Sequence, residues 1–116
     1  MLFTTSLKQN NIFRRLFARG DCAVGKTVVV YCKKNGTDKN RIGFSTGVKL
    51  GHAVVRNRVS RRLREVYRRN EGLFQPGYDL VVVARGRSVN AAFGLLQEDF
   101  LRQCRALGLL KEAERS

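Results

Sequence analysis

The residues able to do chemistry crowd into one stretch of the chain. Arg56 to Arg69 reads RNRVSRRLREVYRR and holds seven arginines and a single acid, Glu65. A guanidinium is a planar, permanently charged fork that pairs with phosphate through two hydrogen bonds and stacks on bases. At about 100° per residue, Asn57, Arg61, Arg64 and Arg68 share one helical face. Arg58, Arg62 and Arg69 fill one flank, and Val55, Val59, Leu63 and Val66 form the opposite stripe. A solvated helix face commonly mixes signs through Glu–Lys or Glu–Arg pairs. Here the signs are barely mixed, and like charges at i,i+3 and i,i+4 repel by roughly a few tenths of a kcal/mol per pair. A polyanion on the outer face relieves that repulsion.

Nothing comparable points to bond-making by the protein. His52 is the only histidine and has no carboxylate or cysteine beside it in sequence, so it reads as a turn or helix start. Cys22, Cys32 and Cys104 lack metal-ligand spacing, and their odd number argues against a disulfide framework, so they read as small apolar residues. There is no carboxylate pair, nucleophile motif or phosphate-cradling Walker loop. Acids near the basic helix are too sparse for an evident two-metal nuclease site. No catalytic residue and no metal ligand is expected.

The whole composition agrees. The 116 residues include 23 Lys plus Arg against 9 Asp plus Glu, a net charge of +14, and nucleic acid is the leading partner for such a field. An anionic membrane would need a large free apolar face, and the apolar stripes are used up in a core. Apolar runs such as Leu80–Ala84 are too short to cross a bilayer. The N-terminal MLFTTSLKQNN lacks a basic region followed by an apolar stretch, so a cytoplasmic protein without a secretory signal is expected. The length suits one domain, residues 1–116, with a modest core.

These side chains need a scaffold, and the pattern supplies one. Ile12, Phe13, Leu16 and Phe17 recur at helical spacing, predicting a first helix over Asn10–Arg19 that stops at Gly20. Lys26–Lys33, with Val28, Val29, Val30 and Tyr31, reads as a strand. Asn35-Gly36 marks a turn, and Arg41–Thr46 reads as the returning strand of a hairpin. The glycine-bearing loop Thr46–Gly51 leads into the basic helix, Ala53–Arg69. Tyr78–Ala84 is nearly continuous apolar chain, predicting a central strand covered on both faces. Arg85–Asn90 reads as a loop in which Asn90 caps a last helix. That helix carries Phe93, Leu96, Phe100, Cys104 and Leu107 on one face and ends at Gly108. The order predicts a small α+β sandwich. A basic helix between strands, rather than in a short helical module, favours RNA over DNA.

Gly51–Glu65, GHAVVRNRVSRRLRE, resembles the signature of the bacterial ribonuclease P protein component, a run of the type G-N-A-V-x-R-N-R-I-K-R-x-x-R-E. Arg56, Asn57, Arg58, Arg61, Arg64 and Glu65 match position by position. Leu7–Gly20 looks like the family's first helix, Val28–Cys32 its first main strand, Arg41–Gly51 its R-x-G-x-S-x-x-K-K-x-G segment and Gly77–Gly86 its last strand. The chain departs from the pattern at Ser60 and Val48, where basic residues are common, and at His52, where Asn is usual.

The resemblance implies a four-stranded α-β sandwich with three helices and a left-handed crossover at the basic helix, against the usual right-handed rule. It implies a subunit of an endoribonuclease that removes the 5′ leader of precursor tRNA, with catalysis and Mg²⁺ belonging to the RNA subunit and no cofactor in the protein. Arg56, Asn57, Arg58, Arg61 and Arg64 would bind the catalytic RNA, with Arg62 and Arg68 as additions. Phe13, Phe17, Tyr31, Ser45 and Lys49 would hold the leader, since aromatic faces flanked by charge suit single strands. On pattern alone, Phe13 and Phe17 suit a helical core face equally, and Phe44 is either core or cleft edge. The partners expected are the catalytic RNA and the precursor leader, with no DNA, no membrane and one protein monomer per RNA. A ribosomal-type binding protein would share the charge, and a protein-only nuclease would need the acidic site that the sequence lacks.

Overall fold

Tyr78–Ala84 has apolar side chains pointing both ways, and it occupies the middle of the sheet in a computed structural model that describes residues 4–6 and 10–111. The elements run β1 (Thr4–Ser6), α1 (Asn10–Arg19), β2 (Asp21–Val24), β3 (Val28–Lys34), β4 (Asn40–Ser45), α2 (Ala53–Asn70), β5 (Tyr78–Ala84) and α3 (Phe93–Ala106). The sheet order is β1-β4-β5-β3-β2. β5 pairs antiparallel with β3 and parallel with β4, and α2 is the crossover that joins β4 to β5.

The α+β sandwich with three helices is the expected one, and four strands, β2 to β5, make up most of its sheet. The three-residue β1 adds a fifth strand, parallel to β4 at the edge. The expected hairpin between the strands on either side of Asn35-Gly36 is corrected. β3 and β4 are separated by β5. The physical reason is burial: Leu80, Val81 and Val82 are fully buried, and only a central position covers both faces of such a strand. The hairpin partner of β3 is β2, a short and mostly exposed edge strand with no strand signature of its own. Their turn is closed by the Gly25 amide donating to Val28 O at 2.8 Å. A side chain at Gly25 would meet the Asp99 carboxylate at 2.5 Å, so the turn requires glycine there. Leu7–Gln9 of the matched first segment, and the side chain of Ile12, lie outside the described residues.

Alternation along the strands divides the core in two. Val28, Val30, Cys32, Ile42, Leu80, Val82 and Ala84 face α2 and α3. Val81 and Val83 on β5 and Tyr31 on β3 face α1, where they meet Leu16 and Phe13. Val59, Leu63, Val66 and Tyr67 bury the inner stripe of α2. Burying one such aliphatic side chain stabilises the fold by about 1.5–3 kcal/mol. Leu96, Phe100 and Cys104 do the same for α3, which ends where Gly108 takes φ 74°. Asn90 does not cap α3: the residue before the helix is Ala92, with no side-chain cap. A 3₁₀ turn at Gly86–Ser88, fastened by Ser88 Oγ donating to Arg85 O at 2.6 Å, delays the helix start.

Candidate nucleic-acid interface

α2 builds the first candidate surface. Its inner stripe is fixed by the core, so its outer face is set by the 3.6-residue repeat. Asn57, Arg61, Arg64 and Arg68 all come out exposed. Arg61, Arg64, Glu65 and Arg68 line a shallow depression of about 420 Å³. The Arg64 guanidinium lies 5.8 Å from the ring centroid of Phe44, which packs on the α2 side of the sheet. That contact assigns Phe44 to the core side and aims Arg64 across the helix. Arg56 Nε donates to Gly51 O at 3.2 Å. His52 stands immediately before α2 and makes no side-chain cap hydrogen bond.

Glu65 organises the end of the row. Its carboxylate accepts from Arg68 Nε and Nη2 at 2.9 and 2.6 Å and from Arg69 Nε at 2.8 Å. Those hydrogen bonds hold its pKa down at about 2. The Arg69 guanidinium also lies 4.8 Å from the Phe93 ring centroid on α3.

The flank of α2 differs from its outer row. Arg58 Nη2 donates to Val89 O at 3.0 Å. Arg62 donates from Nη1 to Ser88 O at 3.3 Å and from Nη2 to Ala91 O. Both guanidiniums thereby tie α2 to the loop before α3. Helical periodicity gave their direction but not the loop carbonyls that meet them. Each keeps further N–H donors for an outside anion.

The second candidate surface lies on the other side of the sheet. α1 packs over β3 and β5 through Leu16, which is 2% exposed. Phe17, one position on, is 43% exposed. Its ring stands edge-on to Tyr31, with centroids 4.9 Å apart, and 6.3 Å from Phe13. Phe13, Phe17 and Tyr31 therefore form one aromatic corner, with Phe13 the more deeply set. Ser45 pairs in register with Val83, which puts it on the same sheet face, two strands across from Tyr31. Lys49 is exposed in the 3₁₀ turn Val48–Leu50 that follows.

Two features of this face leave no mark in the local sequence pattern. Arg41 on β4 makes a two-pronged ion pair with Asp79 on β5, both contacts at 2.7 Å, and Asn35 Nδ2 donates to the same carboxylate at 3.1 Å. Strand alternation places this pair on the α1 side. Cys22 on β2 is paired in register with Tyr31 and is exposed. Of the three cysteines read as small apolar residues, Cys22 lies in solvent, because β2 is an edge strand. Cys32 and Cys104 are buried, and burial pushes both thiols up, Cys32 to about 11. Among the described residues, no three His, Cys, Asp or Glu side chains gather as a ligand set for a metal ion. No helix among them is long and apolar enough to cross a membrane.

Comparison with known proteins finds one family repeatedly. The family model for Ribonuclease P matches residues 2–108. A ribonuclease P protein component from Natranaerobius thermophilus is 41% identical over 107 residues, covering 92% of this chain and 93% of the relative. The structure of the Staphylococcus aureus RNase P protein superposes with a TM-score of 0.83 at 26% identity, covering 91% of this chain and 97% of that one. The RNase P protein from Thermotoga maritima gives 0.77 at 32% identity, covering 84% and 92%.

Proposed function

The chain belongs to the ribonuclease P protein family, as a protein subunit of the ribonucleoprotein endonuclease that processes tRNA 5′ ends, and from that premise we propose how its two surfaces divide the work. The outer row of α2 binds the catalytic RNA, and the aromatic corner under α1 binds the 5′ leader of precursor tRNA. The observation that carries this reading is the barely mixed charge of the outer row, in which Glu65 is the single acid. Arg61 and Arg64 stand exposed among seven arginines, on a helix whose other face is locked into the core. Phosphate contacts of this kind position a complex and make its affinity fall steeply with salt.

In this reading the RNA subunit carries out the cleavage and binds the Mg²⁺ that the chemistry uses. The protein's residues bind and orient. Arg56, Asn57, Arg58, Arg61 and Arg64, with Arg62 and Arg68, hold the RNA subunit. Phe17 and Tyr31 offer ring surface to unstacked leader bases, Phe13 backs them, and Ser45 and Lys49 extend the track. Precursor is thereby favoured over mature tRNA, because only the precursor has a leader. The partners are RNA rather than DNA, in a complex of one protein and one RNA. A cytoplasmic location is supported by the three free cysteines, since reduced thiols suit that compartment.

The test is to purify the protein from cells with its bound RNA and sequence that RNA. A single catalytic RNA is expected. Predominant recovery of ribosomal RNA would assign the charge to ribosome assembly instead.

A further inference from the structure

A second basic depression lies away from the outer row of α2, and the roles proposed above leave it unused. It measures about 390 Å³ and sits between the β2–β3 turn, the loop after β5 and the exposed face of α3. Three cations reach it from these three segments: Lys26, Arg87 and Arg102. Among the described residues none of the three makes a hydrogen bond or an ion pair. Glu98 lines the same depression, four residues before Arg102 on α3, yet the two are not bridged. The contrast is Glu65, which closes on Arg68 and Arg69 at the same kind of spacing. The buried Asp99 carboxylate lines the depression too, but it is held by Thr27 N and Oγ1 at 2.8 and 2.6 Å and forms no ion pair with the three cations. The buried part of the lining is Thr27 and Asp99, and the exposed part includes one large apolar side chain. Leu95, on the outer face of α3, is 60% exposed there.

Three unpaired cations around an exposed apolar side chain, with the Glu98 carboxylate exposed and the Asp99 carboxylate buried beside Thr27, match a nucleotide unit. The cations suit its phosphates, Leu95 suits a base face, and Glu98 can accept from an exocyclic amine or a 2′-hydroxyl. The depression is also continuous with α2. Ala91 borders it and borders the neighbouring depression lined by Arg58 and Arg62. Cationic surface therefore runs from Arg61 and Arg64, across the Arg58–Arg62 flank, to Arg87, Lys26 and Arg102.

We infer that this depression is a second RNA-binding site, which takes a single-stranded segment of the RNA partner distinct from the segment held by the outer row of α2. The inference rests on the reading of α2 as the RNA-subunit surface. The test is hydroxyl-radical footprinting and salt-dependent binding of the full chain to a bacterial ribonuclease P RNA. The wild type should protect two separate RNA stretches. Lys26→Gln with Arg102→Gln should lose one stretch and weaken binding on the order of tenfold, with a salt slope shallower by roughly 1–2. Lys26→Arg with Arg102→Lys should restore both stretches. An unchanged footprint, affinity and slope in the Lys26→Gln, Arg102→Gln protein overturns the second site while leaving α2 in place. If Arg61→Ala with Arg64→Ala is equally silent, the α2 reading fails and takes this inference with it. Competition by polyglutamate in place of an RNA oligonucleotide would assign the depression to an acidic protein, and that also overturns it.

Discussion

Arg61 and Phe17 lie on opposite sides of one sheet, and each leaves its side chain in solvent next to a neighbour that is buried. On α2 the neighbours are Val59 and Leu63, and what stays outside is charge. On α1 the neighbour is Leu16, and what stays outside is an aromatic ring braced on Tyr31. The first surface attracts at a distance and is weakened by salt. The second works only at contact and depends little on salt, because stacking needs no charge on the protein. A complex that must hold one RNA continuously and recognise another by its leader has use for both. The contrast teaches that one sandwich can offer two chemically unlike surfaces, because α1 covers one sheet face and α2 with α3 the other.

The comparison breaks most visibly if charge is removed from the first surface. Arg61→Ala with Arg64→Ala is expected to weaken binding to the RNA subunit on the order of a hundredfold at low salt, and to flatten the salt slope by roughly 1–2. Filter binding across a potassium chloride series measures both, and unchanged values would mean that the outer row is not the main RNA contact. Next comes the ring. Phe17→Ala should cost the assembled enzyme about 1–3 kcal/mol of precursor binding while mature tRNA binds as before. Its salt slope should stay as in the wild type, and equal losses on precursor and mature tRNA would point to damage of the α1 packing instead.

A third substitution sharpens the contrast within α2 itself. Arg62→Ala removes the hydrogen bonds to Ser88 O and Ala91 O and should lower folding stability by about 1–2 kcal/mol in urea unfolding. Arg61→Ala should shift stability by no more than about 0.5 kcal/mol. If the two variants unfold alike, the flank is not a structural clamp. The smallest effect concerns Glu65. Its folded pKa, about 2, lies below its ordinary 4.5. The stabilisation it brings is therefore present above about pH 4.5 and is lost as pH falls from there toward 2. Wild type should melt slightly above Glu65→Gln at pH 7, and the gap should narrow below pH 4.5 and close near pH 2. A gap that widens in acid would contradict the sign.

Much of this arrangement was legible before any coordinates. The α1 and β5 spans and the buried stripe of α2 follow from periodicities of 3.6 and 2 residues, because burial on one face leaves a regular mark. What stayed hidden was pairing. β2 is only four residues, mostly exposed, and nothing local says that Asp21–Val24 folds back on β3 through Gly25. The turn at Asn35-Gly36 looked like a hairpin tip, and only the need to cover both faces of β5 explains its insertion between β3 and β4. For the site, the exposed row on α2 could be read by angle. The Arg58 and Arg62 clamp, the Arg41–Asp79 pair and the meeting of Lys26 with Arg102 join residues far apart in the chain, so no window of sequence contains them. The roles of Phe17 and Tyr31 rested on the family resemblance, and the structure adds that Phe17 is exposed and in ring contact with Tyr31.

The central claim is that this chain serves a catalytic RNA and does not cut RNA itself. The most direct measurement is leader cleavage of precursor tRNA at low Mg²⁺ by a bacterial ribonuclease P RNA, with and without the protein, beside the protein alone. The account predicts no cleavage by the protein alone and a marked rise in cleavage when protein and RNA are combined. No stimulation of the RNA, or leader removal by RNA-free protein, would contradict it.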